Sequence, residues 1–350
     1  MLLNSNVLFG LPEKMIMDSI HGGIYFFPHE QKIIDHPLFQ RLRFILQNDI
    51  LTLVFPGSQH TRFQHSIGVM HLSGRFFQGL VKSHLLKFKN MEEINLPLIN
   101  SINYVYGAIR LAALLHDTGH APFSHQFEHS KRVSDMLNRS FFEKLWEDED
   151  YSLYFNSKPD KIEHEHISIR ITHEIFKENL DAEIKVEDVI YFMEKSENKP
   201  SHTLSKHIKC IIRASFKTIP TKMEFNSLLD SIPDVSDKLL KTFKEIISGE
   251  IDADKMDYIL RDSYFSGSKY GYYNVDVILN SLQIGWESSE KDKSRIEFTW
   301  IGIAIDPKGL KPMEDFIHAR FKLYVELYNH KTVCGFKYLL AEAIDEVLAK

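Results

Sequence analysis

Cysteine is scarce: Cys210 and Cys334 are the only two in 350 residues, far apart and outside any CxxC pair. That excludes a disulfide-stapled fold, a zinc ribbon and a dithiol redox motif, and it suits a cytoplasmic, reducing compartment in which both are buried thiols. Long apolar runs are missing as well. No stretch approaches the roughly 18 to 20 apolar residues that span a bilayer, and the opening MLLNSNVLFGLPEK has no basic segment ahead of a long apolar one, so neither a membrane helix nor a signal peptide is expected. Positive charge is not in excess, since 42 Lys and Arg face 48 Asp and Glu for a formal charge of -6. A surface built for duplex DNA is therefore not expected, although a basic pocket is allowed. Repeats, low-complexity tracts and Pro/Gly/Ser-rich linkers are absent, which favours one compact unit with appendages.

What is present is material for a core and for chemistry. Hydrophobic residues make up 43%, with 25 Phe and 14 Tyr, and the 18 histidines cluster beside acidic or small residues. Such clustering points to metal binding or acid-base work.

The patterning is mostly helical. A glycine pair among β-branched and aromatic residues, Ile20 to Phe27, predicts a short strand or hairpin within an N-terminal segment 1–34. Apolar spacing predicts helices over Pro37 to Gln47, along His65, Val69, Leu72 and Phe76, and over Tyr104 to Leu115. The last is apolar almost all round apart from Arg110, as befits a central helix. Residues 145–163 read as a surface insertion, and a helix follows from His164 to Phe176. Residues 181–250 read as helical scaffold. Further helices are expected at Asp254 to Arg261, from Val275 and over Phe336 to Lys350, with a strand pair in Arg295 to Ile305. The expected plan is predominantly α, a helical core over 35–275 with small β additions, and a C-terminal part, 276–350, that completes the active site.

The strongest chemical signal is Leu114-Leu115-His116-Asp117-Thr118-Gly119-His120, where an apolar helix ends in two ligand-type residues and a glycine. Burying His and Asp there is costly without a partner, and a cation is one such partner. A His-Asp dipeptide alone also reads as a helix-terminal His beside a loop-capping Asp. His65 at the start of an earlier helix and Asp254 in a later one extend it to a four-ligand N/O set. Such a set suits Mn, Fe, Ni, Zn or Mg with positions left open for water and substrate.

With these residues the sequence resembles the HD-domain phosphohydrolases, and within them the deoxynucleoside triphosphate triphosphohydrolases, a group with bacterial dGTPase-like and mammalian SAM-and-HD-domain members. The resemblance runs from about His21 to Lys331. It rests on PLFQRLRFILQ (37–47), FPGSQHTRFQHSIGVMHL (55–72), ALLHDTGHAPFSH (113–125), HEHISIRI (164–171), IDADKMDYILRD (251–262) and HARFKLYVELYNHK (318–331). It implies a helical HD core, a divalent metal on His65, His116, Asp117 and Asp254, and hydrolysis of a dNTP to deoxynucleoside and tripolyphosphate. Arg62 and Lys255 would clamp phosphates. His120, His125 and His164 would stand near the metal, with His125 as proton donor to the leaving group, Glu128 as its orienting carboxylate and His164 as its rival. Gln47, Tyr258, Asp262 and Tyr328 would meet the deoxyribose, Asp262 accepting from the 3′-hydroxyl.

The match departs from the family at Gln47-Asn48-Asp49, where Gln-Leu-Gly is usual, and at Asn329, where a Gln is usual. A polar Asn48 bears on how strictly a 2′-hydroxyl is refused. Asp35, Gln40 and Arg43 match residues that bind guanine at an activating site, implying a GTP or dGTP activator, and a homo-oligomer, dimer or tetramer, is implied too. No membrane partner is expected, nor nucleic acid as main ligand. Two other readings compete: another HD phosphodiesterase or nucleotidase, and a non-catalytic nucleotide sensor.

Overall fold

The computed structural model describes residues 12, 14–83, 95–137, 154–155, 159, 161–178, 183–216, 232–292 and 295–349. Near its start, β1 (Lys14–Asp18) and β2 (Gly22–Phe26) pair antiparallel, with Ile16 opposite Ile24. The hairpin is tied down by its own turn, because Asp18 Oδ1 accepts from the amides of Ile20 and His21 at 2.9 Å each. It leads into α1 (Pro28–Ile34), which opens on a proline where the missing amide hydrogen is not needed.

The expected helix over 37–47 is broken. Pro37–Gln40 is α-helical and Arg41–Phe44 continues as a 3-10 turn, but Ile45 is extended. The reason is a competing pairing: Leu46 bridges Thr61, Gln47 N donates to His60 O at 3.0 Å, and Arg62 N donates to Ile45 O at 2.9 Å. That pairing sets residue 47 beside the start of α2 (Arg62–Val81), whose first turn is closed by Gln64 Oε1 accepting from Thr61 N at 2.9 Å.

The central element is α3 (Leu96–Leu115), eight residues longer at its start than Tyr104 and capped by Asn95. Its length and hydropathy would suffice to cross a bilayer, contrary to the expectation that no run approaches that length, yet 83% of its most apolar window is buried inside the protein. Around it pack α2, α5 (Val186–Phe192), α6 (His202–Phe216) and α7 (Ile232–Ser248), and α4 (His164–Lys177) packs on α5. Then come α8 (Ala253–Ser266), which starts on an Asp252 cap and stops at left-handed Gly267 (φ 71°), and a one-turn helix at Val275–Leu279. The strand pair is β3 (Leu282–Asp292) against β4 (Arg295–Ile305), so Arg295 to Ile305 is one strand of it and its partner lies upstream. The described chain closes with α9 (Leu310–Leu323), a π-helical turn at Tyr324–Tyr328, and α10 (Lys331–Val347), which begins five residues before Phe336.

The fold is predominantly α, a helical core with two small antiparallel strand pairs among the described residues, as expected. Most of the 145–163 insertion lies outside them, but Tyr154, Phe155 and Ile162 are buried, and Tyr154 O accepts from Glu197 N at 3.0 Å. Those residues are anchored in the protein rather than laid on its surface. Cys210 is half-buried and Cys334 is exposed, correcting the expectation that both thiols are buried.

The one charged residue of α3, Arg110, is met by Glu30 of α1 in a two-armed pair, Nε to Oε1 at 2.6 Å and Nη2 to Oε2 at 2.8 Å, both side chains buried. Arg110 also donates to Tyr25 O at 3.1 Å, fastening the hairpin to the core. Replacing Arg110 with Leu leaves Glu30 buried and unpaired, so Arg110→Leu should lose about 3–5 kcal/mol in urea unfolding. A loss below about 1 kcal/mol would show that water reaches Glu30.

Candidate metal centre and catalytic cleft

Three helices deliver the four expected ligands. His65 sits in the first turn of α2, His116 caps α3 with Asp117 directly after it, and Asp254 lies in the first turn of α8. His65 Nε2 lies 2.9 Å from Asp254 Oδ1 and 3.7 Å from Asp117 Oδ2, while His116 Nε2 lies 3.4 Å from Asp117 Oδ1 and 3.7 Å from Asp254 Oδ1. Each imidazole spends its other nitrogen on a neighbour. His116 Nδ1 donates to Ala113 O at 2.7 Å, and His65 Nδ1 meets Asp257 Oδ2 at 2.8 Å. The two Nε2 atoms are buried without a hydrogen bond, a costly state for lone pairs unless something else engages them.

The electrostatics are those of a site that wants a cation. Burial works against a charged His65, yet Asp254 and Asp257 outweigh it and push its pKa up to about 10. Burial likewise disfavours the Asp117 carboxylate, but Arg62, His116 and His120 hold it well below the usual range. Two imidazole nitrogens and two carboxylates converging in this way fit a divalent ion of the Mn, Fe, Ni, Zn or Mg class.

Beside this set stands a second group, His120, His125, Glu128 and His164. Gly119 lets it form: a Cβ there would lie 1.9 Å from His164 O, and the Gly119 amide donates to Ser168 Oγ at 2.8 Å, locking the end of α3 against α4. His120 and His164 stack at 3.6 Å between ring centres. Burial and Arg62 keep His120 neutral, its pKa well lowered. Burial also opposes charge on His164, but the bond to Glu128 outweighs it and raises its pKa. Glu128 is closest to His164, with Oε1 at 3.1 Å from Nδ1, and lies 3.7 Å from Nδ1 of the half-exposed His125. Left-handed Phe123 (φ 64°) and Ser124 (φ 43°) lead into His125, a strained approach of the kind that collects at functional sites.

Both groups open into one cleft of about 490 Å³. Gln47, Arg62, Asp117, His120, His125, His164, Asp254, Tyr258, Asp262 and Tyr328 line it, with His65, His116 and Glu128 set behind the wall. Arg62 is committed to Asp117, to Ser124 Oγ at 2.9 Å and to Gln47 O at 3.5 Å. Asp262 is fully engaged, its Oδ1 with His60 at 2.7 Å and its Oδ2 accepting from Tyr328 at 2.5 Å.

Other expected residues lie elsewhere. Lys255 does not line the cleft; its ammonium bonds Asp252 at 2.5 Å and Gly249 O at 2.8 Å. Asp35, Gln40 and Arg43 are also away from it. Asp35 accepts from Gln31 at 3.0 Å, Gln40 donates to Ile34 O at 2.6 Å, and Arg43 donates to Gln40 at 2.7 Å while lying 3.6 Å over the Phe63 ring.

The cleft holds residues that motif reading missed: Glu165, Glu194, Tyr324 and Lys337, besides the departures Asn48, Asp49 and Asn329. Lys337 brings from α10 a cation that Lys255 does not bring from α8. Nothing in the expected pattern marks it: Val333, which shares its helix face four residues earlier, lies ahead of the helix expected from Phe336. Asp49, where the resemblance leads one to expect glycine, takes the left-handed conformation (φ 44°), and burial raises its pKa against the pull of Arg62.

Comparison with known proteins agrees with this geometry. The profile described as HD domain matches residues 62–259. An uncharacterised protein of Methanocaldococcus jannaschii is 29% identical over 320 residues, 91% of this chain and 47% of its own length. The deoxynucleoside triphosphate triphosphohydrolase SAMHD1 of Mus musculus is 27% identical over 323 residues, 91% of this chain and 42% of its own. The chain thus spans about half the length of the curated relatives it matches. Among solved structures, a hypothetical protein of Aquifex aeolicus superposes with TM-score 0.57 at 26% identity, covering 96% of this chain and 65% of its own.

Asp117→Ala removes one carboxylate of the set and leaves Arg62 facing it unpaired. It should lose bound divalent metal, by elemental analysis of the purified protein, to below about a tenth of wild type; full retention would refute the ligand set. The family model matches from residue 62 to residue 259, more than half of the chain, and so this chain belongs to the HD-domain family.

Proposed function

We propose that the protein is a metal-dependent deoxynucleoside triphosphate triphosphohydrolase, releasing deoxynucleoside and tripolyphosphate. The observation that carries the reading is a single cleft joining the ligand set, the His120/His125/His164 group and a wall of Tyr258, Asp262 and Tyr328. The match to mouse SAMHD1, a protein named for this activity, over 91% of this chain and 42% of its own length supports it. In this reading segments 1–34 and 276–350 complete the unit whose core is 35–275.

The bound cation would supply a Lewis acid for a phosphate oxygen and acidify a water. The remaining work falls to the chain. Arg62, fixed from three sides, holds positive charge at the cleft floor without reorganising. His164, whose pKa Glu128 raises, and Lys337 face the remaining phosphates. His125 is the group suited to protonate the departing 5′-oxygen: it is half-exposed, so it can deliver a proton and regain one from solvent. Tyr328 is oriented by Asp262, which His60 holds in turn, so the sugar meets a preset hydroxyl and ring. Gln47 and Asn48 offer polar edges on the opposite side.

Product analysis decides the reaction. Purified protein with each dNTP and NTP, singly and mixed, and with Mn²⁺ or Mg²⁺, should give nucleoside and tripolyphosphate. Monophosphate products would place it with other HD phosphodiesterases or nucleotidases, and metal binding without turnover would favour a nucleotide sensor. A GTP or dGTP activator at Asp35, Gln40 and Arg43 of a homo-oligomer belongs to the same proposal, and an activation that survives Asp35→Ala rules that site out.

The two histidines should separate kinetically. His125→Ala should lower kcat by about 100-fold or more with KM little changed, whereas His164→Ala should chiefly raise KM. Because Glu128 raises the pKa of His164, Glu128→Gln should move its deprotonation to lower pH, so the rise of KM with pH should begin earlier than in wild type. The opposite shift, or none, would remove Glu128 from that role.

A further inference from the structure

His65 is held end to end between two carboxylates of the same helix: Asp254 faces Nε2 and Asp257, one turn on, takes Nδ1. Asp257 is wholly buried and accepts on both oxygens. Its Oδ2 takes His65 Nδ1 at 2.8 Å and Arg261 Nε at 2.7 Å, and its Oδ1 takes His21 Nε2 at 2.6 Å and Arg261 Nη2 at 2.9 Å. Arg261, also fully buried, reaches on to Asp18 through Nη1 at 2.8 Å and Nη2 at 3.2 Å. Asp18 and His21 belong to the β1–β2 hairpin and its turn. The knot closes against α2 at Gly68, where a Cβ would stand 2.0 Å from Asp257 Oδ1 and 2.5 Å from Arg261 Nη2.

We propose that Asp257, braced by Arg261, Asp18 and His21, is the positioning residue that fixes His65 as its Nδ1–H tautomer, and that the N-terminal hairpin thereby sets the affinity of the metal centre. A carboxylate can only accept, so Nδ1 donates to Asp257, and Nε2, which faces Asp254, is the nitrogen left for a metal that displaces its proton. Without the brace, Asp257 could turn toward either imidazole and the ring of His65 would lose its one fixed end. The hairpin is otherwise remote from the chemistry, since none of its residues lines the cleft. The inference rests on the metal-centre reading.

The test is titration of the metal-free chain with Mn²⁺, followed by calorimetry, alongside the ¹⁵N ring shifts of His65 in the Zn²⁺-loaded protein, where Nε2 carries no proton. Asp257→Asn should raise the Kd for Mn²⁺ by about 10- to 100-fold and erase the Nδ1–H signature. Asp18→Asn, one link further out, should shift both in the same direction by a smaller factor. His21→Ala should weaken binding, and His21→Gln, which keeps a donor for Asp257, should restore part of it. A purely structural role would lower the unfolding temperature without moving the tautomer. Wild-type Kd in both Asp257→Asn and His21→Ala overturns the proposal, and if Asp257→Asn fails to fold, His21→Ala and Asp18→Asn decide by the same readouts. A wild-type protein that binds no Mn²⁺ removes the metal-centre reading and this inference together, whereas binding that is indifferent to the variants removes the inference alone.

Discussion

A guanidinium taken out of water must be met by a carboxylate of matching geometry, and this fold is organised around three such meetings. Arg110 joins α3 to Glu30 of α1, Arg261 joins α8 directly to Asp18 of the hairpin while also holding Asp257 of its own helix, and Arg62 joins α2 to Asp117 at the end of α3. Each pair crosses between elements distant in sequence. Apolar packing alone would allow neighbouring helices to slide by a fraction of a turn, but a forked, buried ion pair tolerates little displacement before a charge is left unsatisfied. The ligands inherit that precision, because His65, Asp117 and Asp254 lie within a few residues of, or directly on, these pairs.

The cleft divides its charge by position. Carboxylates gather where a cation is wanted, at Asp117 and Asp254, and cationic side chains gather where an anion would extend, at Arg62, His164 and Lys337. Between them burial and Arg62 disfavour charge on His120 while Glu128 favours it on His164, so any charge on the stacked pair of rings falls to His164. That is an economical way to put two imidazoles in contact, since two imidazoliums at 3.6 Å in a buried site would repel strongly.

The candidate ligands were noticeable because each stands at a helix terminus, and His116 and Asp117 follow an almost wholly apolar helix, where a polar residue has no packing reason to be. Asp257 and Arg261 were not, because an acid and a base four apart on a helix look like an ordinary surface pair, and only the approach of Gly68 and the hairpin turns that face inward. Lys255 was misread for the converse reason: beside a ligand it looks like a clamp, yet Asp252 at the helix start draws it away. The break in 37–47 was invisible because its cause, pairing with His60 to Arg62, is not local. β3 escaped notice because WESSEKD reads as turn and surface by composition, and pairing with β4 supplies the order that propensity does not.

The last helix, α10, contributes Val333 and Lys337 to the cleft, yet Val333 is its one buried residue, and one of its further ties is Asp345 accepting from Ser130 at 2.5 Å and from Arg132 N at 3.2 Å. The metal ligands, by contrast, are rooted in the deepest helices. Such an uneven distribution of anchoring means that the two halves of the site need not loosen together, because local opening is easiest where few buried contacts are given up. The Lys337 side of the cleft can then exchange with solvent while the arrangement of His65, Asp117 and Asp254 is kept.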